Sequence, residues 1–128
     1  MAKRSEEQQR EHDLIVNNSL KSWVDRGDVK AFANPGDEHN FSVAGIYYPD
    51  IVVLDPNNNF YLIEEVETEE TVNEQELEEW KQFAGFGVTL NLIVPENKRE
   101  DAQNLVKEIS NIRVQTYTLK DGKLEFQV

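Results

Sequence analysis

The period of the apolar residues changes along this chain, and each change marks an element. Over residues 5–26, Val16, Leu20, Trp23 and Val24 fall on one stripe of an amphipathic helix, with Gly27 as its stop signal. Residues 29–33 suit a short strand. Residues 34–40, with Pro35, Gly36, Asp37 and Glu38, read as a loop. Ile51-Val52-Val53-Leu54 is apolar without alternation, the pattern of a central strand covered on both faces. Pro56-Asn57-Asn58-Asn59 is a cluster of turn formers that joins this strand to a second apolar run reaching Glu67.

Thr71 with Glu74 three residues later predicts a capping box, opening a helix that buries Leu77, Trp80, Phe83 and Ala84 before Gly85 and Gly87 end it. Residues 89–94 read as a strand stopped by Pro95. A further helix is expected over residues 98–110, with Ala102, Leu105, Val106 and Ile109 on its buried face. Residues 112–119 and 124–128 close the chain as strands joined around Asp121-Gly122. Strands separated by helices predict an α/β fold with a mixed central β-sheet flanked by helices. At 128 residues, without a repeat, linker or low-complexity segment, the chain is expected to form one domain over residues 1–128.

The hairpin carries the candidate chemistry. If its four turn residues form the loop, Asp55 pairs with Phe60 and the register places Asp50 opposite Glu65. Directly opposed residues have Cβ atoms about 5 Å apart, and the period of two puts Glu67 on that face with Val66 on the other. Three carboxylates so placed repel one another. Converging oxygen ligands of this kind suit Mg²⁺ or Mn²⁺. Glu64, by the same alternation, shares a face with Leu62 and Val66 and is expected to point at a helix or at solvent.

Pro49-Asp50 followed, after a hairpin, by Glu65-Val66-Glu67 resembles the core motif of the PD-(D/E)XK nuclease superfamily, which includes restriction endonucleases and Holliday junction resolvases. The order helix, three strands, helix, strand is similar too, and the resemblance covers residues 7–94. It implies a restriction endonuclease-like fold and metal-dependent hydrolysis of DNA. Glu67 stands where the family usually has lysine. Some restriction endonucleases are similar in having acid-x-acid here, with the last glutamate as general base, and other members supply the lysine from the following helix, where this chain has Lys81. Nuclease relatives also place an acid in the first helix, which makes Glu11 a further candidate that reaches the metal through water. The resemblance thus implies Asp50, Glu65, Glu67 and Glu11 around the metal, with Asp50, Glu65, Glu67 and Lys81 as the catalytic set.

Each candidate has a plainer reading. Glu11 also fits a surface charge, His12 a buried hydrogen-bonded ring on the apolar stripe, and Lys81 a solvated lysine. His39 has no metal-ligand spacing around it. The acidic run from Glu69 to Glu79 reads most simply as a solvated helix face, though a dense acidic surface also imitates nucleic acid to a basic partner.

Charge opposes the nuclease reading. A formal net charge of −12 disfavours broad attraction to DNA or an anionic membrane. The bases Lys3, Arg4, Arg10, Lys21, Arg26 and Lys30 are nevertheless concentrated before the motif, so a basic face is expected on that side. No apolar run is long enough to span a membrane, and the absence of Cys excludes disulfides and thiolate sites, compatible with a cytoplasmic protein. Two functions are therefore expected. One is a Mg²⁺- or Mn²⁺-dependent nuclease-like enzyme that reads the structure of DNA rather than its sequence, since no major-groove reading element is visible. The other is an inactive nuclease-fold binding module acting through protein partners. A homodimer is compatible with either.

Overall fold

The computed structural model describes residues 4–34, 42–43 and 48–127. Pro35 to Asn40 of the expected loop, including His39, and Val128 of the expected last strand lie outside the described residues. Among the described residues, three α-helices and six strands follow one another as α1 (Glu6–Arg26), β1 (Lys30–Ala33), β2 (Ile51–Leu54), β3 (Phe60–Val66), α2 (Leu77–Ala84), β4 (Thr89–Pro95), α3 (Arg99–Val106), β5 (Ile112–Lys120) and β6 (Lys123–Gln127). The strands form one mixed sheet in sequential order. β1, β2 and β3 form an antiparallel meander, β3, β4 and β5 run parallel, and β6 returns antiparallel to β5. The expected α/β architecture is present.

Two apolar clusters show why the sheet sits between helices. On one face, Ile51, Val53, Leu62, Val66 and Ile93 pack with Ile15 and Val16 of α1. On the other, Val52, Leu54, Ile63, Leu90, Leu92 and Val94 pack with Trp80 and Phe83 of α2 and Ala102 and Val106 of α3. β2 is buried at all four positions, as its unbroken apolar run requires.

Several expectations need correction. Val24 is 56 % exposed and does not belong to the buried stripe of α1. Thr71 and Glu74 form no capping box: Asn73 accepts the Gln75 N–H at 2.8 Å and caps a short 3₁₀ turn over Glu74–Glu76, while Thr71 Oγ1 accepts the Thr68 N–H at 3.0 Å. α3 ends at Val106 rather than near Ser110, where the Ile109 N–H bonds to the Val106 carbonyl and closes a tight turn. At the β2–β3 turn, Leu54 pairs with Phe60 because a bulge follows Val53, whereas Ile51 faces Glu64 and Val52 faces Ile63 as expected. The irregularity is absorbed beside the turn. The register at the acidic end is the one that opposes Asp50 to Glu65.

Candidate functional site

The site lies where β3 ends, in the three-layer edge bounded by the start of α1, the Asp50 bend and the α2 face. Asp50 directly precedes the first paired residue of β2, and its segment is anchored by Asn34, whose N–H donates to the Asp50 carbonyl at 2.9 Å and whose side-chain amide donates to the Pro49 carbonyl at 2.7 Å. The Asp50 N–H donates to Glu65 Oε1 at 3.0 Å, which fixes the two acids across the hairpin. Because Asp50 is outside the ladder, its carboxylate reaches around the strand end. Oδ2 accepts the Val66 N–H at 2.7 Å and lies 3.0 Å from His12 Nε2.

His12 is buried, and its Nδ1 lies 2.9 Å from Asp13 Oδ1. A carboxylate at each ring nitrogen is satisfied at both only by the doubly protonated imidazolium. Burial acts to lower the His12 pKa, but attraction and hydrogen bonding to Asp50, with the Asp13 contact, outweigh it and raise the value. The plain reading of His12 as a buried, hydrogen-bonded ring therefore holds, with Asp50 as its partner.

Glu65 and Glu67 share the α2 face of the sheet. Glu65 is buried, and its pKa is raised well above the carboxylate range by desolvation first, then by repulsion from Asp50, Glu79 and Glu67. Glu67 is held at both oxygens: Arg4 Nη2 donates to Oε1 at 3.0 Å and Trp80 Nε1 to Oε2 at 2.8 Å. Desolvation still pushes Glu67 up to about 8, against the lowering effect of Trp80, Thr71 and Arg4. The Arg4 contact thus reaches a carboxyl whose ionised form burial disfavours.

The sequence reading missed two participants. Glu79 was placed in the solvated acidic run, yet it is partly buried, and desolvation with repulsion from Glu76 and Asp50 raises its pKa to about 7. Its signal was present: Glu76 and Glu79 precede the buried Trp80 and Phe83 by four residues each, so they continue the sheet-facing stripe of α2. Arg4 had no comparable local signal. It precedes the α1 N-cap Ser5, and Nη2 spans to the Val66 carbonyl at 3.0 Å as well as to Glu67.

Three other acids and the lysine stand apart. Glu64 points at α1, as its alternation predicts, and accepts from Ser19 Oγ at 2.5 Å, Trp23 Nε1 at 3.2 Å and Asn91 Nδ2 at 2.8 Å. Glu11 accepts the Tyr117 hydroxyl at 2.6 Å on the α1 face, opposite the Glu65 and Glu67 side chains. Asp13 bonds to His12 and Gln9 on α1. Lys81 is not brought to the site. Its ammonium lies 3.5 Å from Glu78, and its side chain borders a groove with Gly85, Gly87, Ser110 and Asn111 at the N-terminal ends of β4 and β5. The acids are at the C-terminal end of β3.

Asp50 and Glu65 are the residues at this end that could offer oxygens to a hard divalent cation. Among the described residues, no group of three or more His, Asp or Glu side chains is placed to hold a metal ion together. The hydrogen bonds given above take Asp50 Oδ2, Glu65 Oε1 and both Glu67 oxygens, leaving Asp50 Oδ1 and Glu65 Oε2 unengaged by them. Mg²⁺ typically uses one or two carboxylates and fills the remaining positions with water and substrate oxygens. No helix among the described residues is long and apolar enough to cross a membrane. Comparison with protein-family models, with curated proteins and with solved structures finds no match to this chain.

Proposed function

We propose that this chain is a divalent-metal-dependent, nuclease-like phosphodiesterase acting on DNA, with Asp50 and Glu65 as the Mg²⁺ or Mn²⁺ ligands and Glu67 as the general base. The observation that carries the reading is the Asp50–Glu65 opposition across the hairpin end, tied by the 3.0 Å bond from the Asp50 N–H, with Glu65 buried among like charges. Repulsion of that kind is relieved by protonation or by a cation. The element order α1-β1-β2-β3-α2-β4 further supports a restriction endonuclease-like fold.

Asp50 and Glu65 would hold the divalent ion, which would supply Lewis acidity toward a water and a phosphoryl oxygen. The chain's own residues do the rest. His12 and the Val66 N–H hold Asp50 in position, and Asp13 orients His12 from behind. Glu67, its pKa pushed up to about 8, serves as a base only once ionised, so cleavage is expected to rise from neutral to alkaline pH. Trp80 and Arg4 fix its two oxygens.

One observation favours the second reading, a nuclease-fold binding module. Both Glu67 oxygens are already engaged, and Lys81 is distant, so the acid-x-acid end of the motif resembles a structural lock. The experiment that decides is cleavage of single-stranded, duplex and branched DNA with Mg²⁺ or Mn²⁺ across neutral to alkaline pH. Cleavage that chelator and Asp50→Ala both abolish supports the enzyme. No cleavage by the wild type or by Glu67→Lys, which restores the commoner motif, replaces it with the binding module.

A further inference from the structure

We infer that the outer strand β6 is a docking edge for a second copy of this chain, paired antiparallel with Lys123 of each copy opposite Glu125 of the other. The inference stands apart from the phosphodiesterase reading. Among the described residues β6 is bonded to β5 alone, so its other side is a sheet edge. Asp121 and Gly122 join the two strands with φ of 53° and 76°, the paired positive values of a two-residue type I′ turn. Lys120 and Lys123, the closing pair of such a hairpin, exchange backbone hydrogen bonds, and bonded and non-bonded pairs alternate from there. The N–H and C=O groups of Leu124 and Phe126 therefore point out along the edge, where another strand can meet them.

The side chains decide which strand fits. Alternation puts the exposed Lys123 and Glu125 on one face of the sheet and the half-buried Leu124 and Phe126 on the other. Two-fold pairing centred on Leu124 sets it against the second copy's Leu124 with reciprocal backbone bonds, and sets each Lys123 against the other copy's Glu125. Lys123 Nζ already lies 3.3 Å from Glu125 Oε1 of its own strand, so the four charges alternate around a square. A slip of two residues either way opposes Lys123 to Lys123 or Glu125 to Glu125, and a slip of one sets the apolar face of one copy beside the charged face of the other. Charge thus selects the register. Lys123 also faces Lys120 across the hairpin, a like-charge pair that a carboxylate on its other side relieves. On the apolar face, Phe126 comes opposite the second copy's Gly122, where nothing lies within 4 Å of an added Cβ.

Sedimentation equilibrium tests the pairing. The average mass of the wild type is expected to rise with concentration towards twice that of one chain. Lys123→Glu leaves two acids on the edge and Glu125→Lys two bases, so each variant repels its own copy and is expected to raise the dimer Kd about tenfold or more. An equimolar mixture of the two variants restores opposite charges at both positions and should dimerise like the wild type, as should the double variant Lys123→Glu with Glu125→Lys. In the wild type, amide exchange at Leu124 should slow as concentration rises, a readout that needs no variant. A wild type that stays monomeric up to millimolar concentration overturns the inference. So does a dimer whose Kd neither single variant changes, a loss that neither the mixture nor the double variant recovers, or Leu124 exchange that is the same in monomer and dimer.

Discussion

Glu67 shows how much a single residue's environment decides. Its position on the Glu65 face follows from alternation, but its pKa near 8 comes from burial, and its orientation from Trp80 on α2 and Arg4 ahead of α1. If it is the base, Glu67→Gln is expected to lower turnover by about 10²-fold or more while divalent-ion affinity at Asp50 and Glu65 changes little, because an amide oxygen accepts hydrogen bonds but takes no proton. Calorimetric metal titration beside a cleavage assay checks both halves. Trp80→Phe removes the indole donor and leaves a buried acceptor with less support. It should raise the Glu67 pKa above its present value, read by carboxyl ¹³C NMR, and cost about 1–3 kcal/mol of stability in urea. At this scale the sequence indicated Asp50, Glu65 and Glu67, but not Arg4, because no local pattern reports which cation a distant strand will meet.

At the scale of elements, the start of α1 matters more than its middle, since its first two turns deliver Arg4 and His12 to the strand end. Ser5 caps it, with Oγ accepting the Gln8 N–H at 3.2 Å, and Ser5 N–H donates to Glu70. Ser5→Ala is expected to cost about 1 kcal/mol and to weaken the Mn²⁺-induced rise in melting temperature, because fraying loosens the residue that holds Asp50. Gly27→Ala serves as the comparison. Gly27 ends the same helix at φ 77°, where a side chain is strained although nothing crowds its Cβ position. It should cost about 1 kcal/mol and leave the metal-induced rise unchanged, which differential scanning of the two variants with and without Mn²⁺ would show. The helix and its stop signal were legible in apolar spacing and Gly27. The failed capping box was not, because Thr71 bonds Thr68 within its own turn and leaves the capping to Asn73.

For the whole molecule, the buried acids give a pH dependence of definite sign. Glu65, Glu67 and Glu79 have folded pKa values raised above those of an unfolded chain, and His12 is raised as well. The folded state therefore binds more protons. Stability from these groups is fully present below the unfolded carboxyl pKa and falls as pH rises through about 8, where Glu67 ionises in the fold. The metal-free protein should be more stable at pH 6 than at pH 8.5 by urea unfolding, and millimolar Mg²⁺ or Mn²⁺ should flatten the difference by stabilising the ionised acids. A metal-free stability that rises over this interval would contradict the burial of Glu67 and Glu65.

The sequence by itself determined the alternation and the order of elements, because backbone periods of 3.6 and 2 act locally and the turn length sets the hairpin register. From these, the α/β class, the opposition of Asp50 to Glu65 and the placing of Glu64 on the sheet face opposite Glu65 and Glu67 follow. The tertiary structure alone decided which faces meet. It turned Glu76 and Glu79 inward, set Tyr117 against Glu11, paired Glu67 with Arg4 and Trp80, and left Lys81 at the far ends of β4 and β5. Those contacts join residues from 13 to 106 positions apart, and their geometry depends on how helices seat on a sheet rather than on any local spacing.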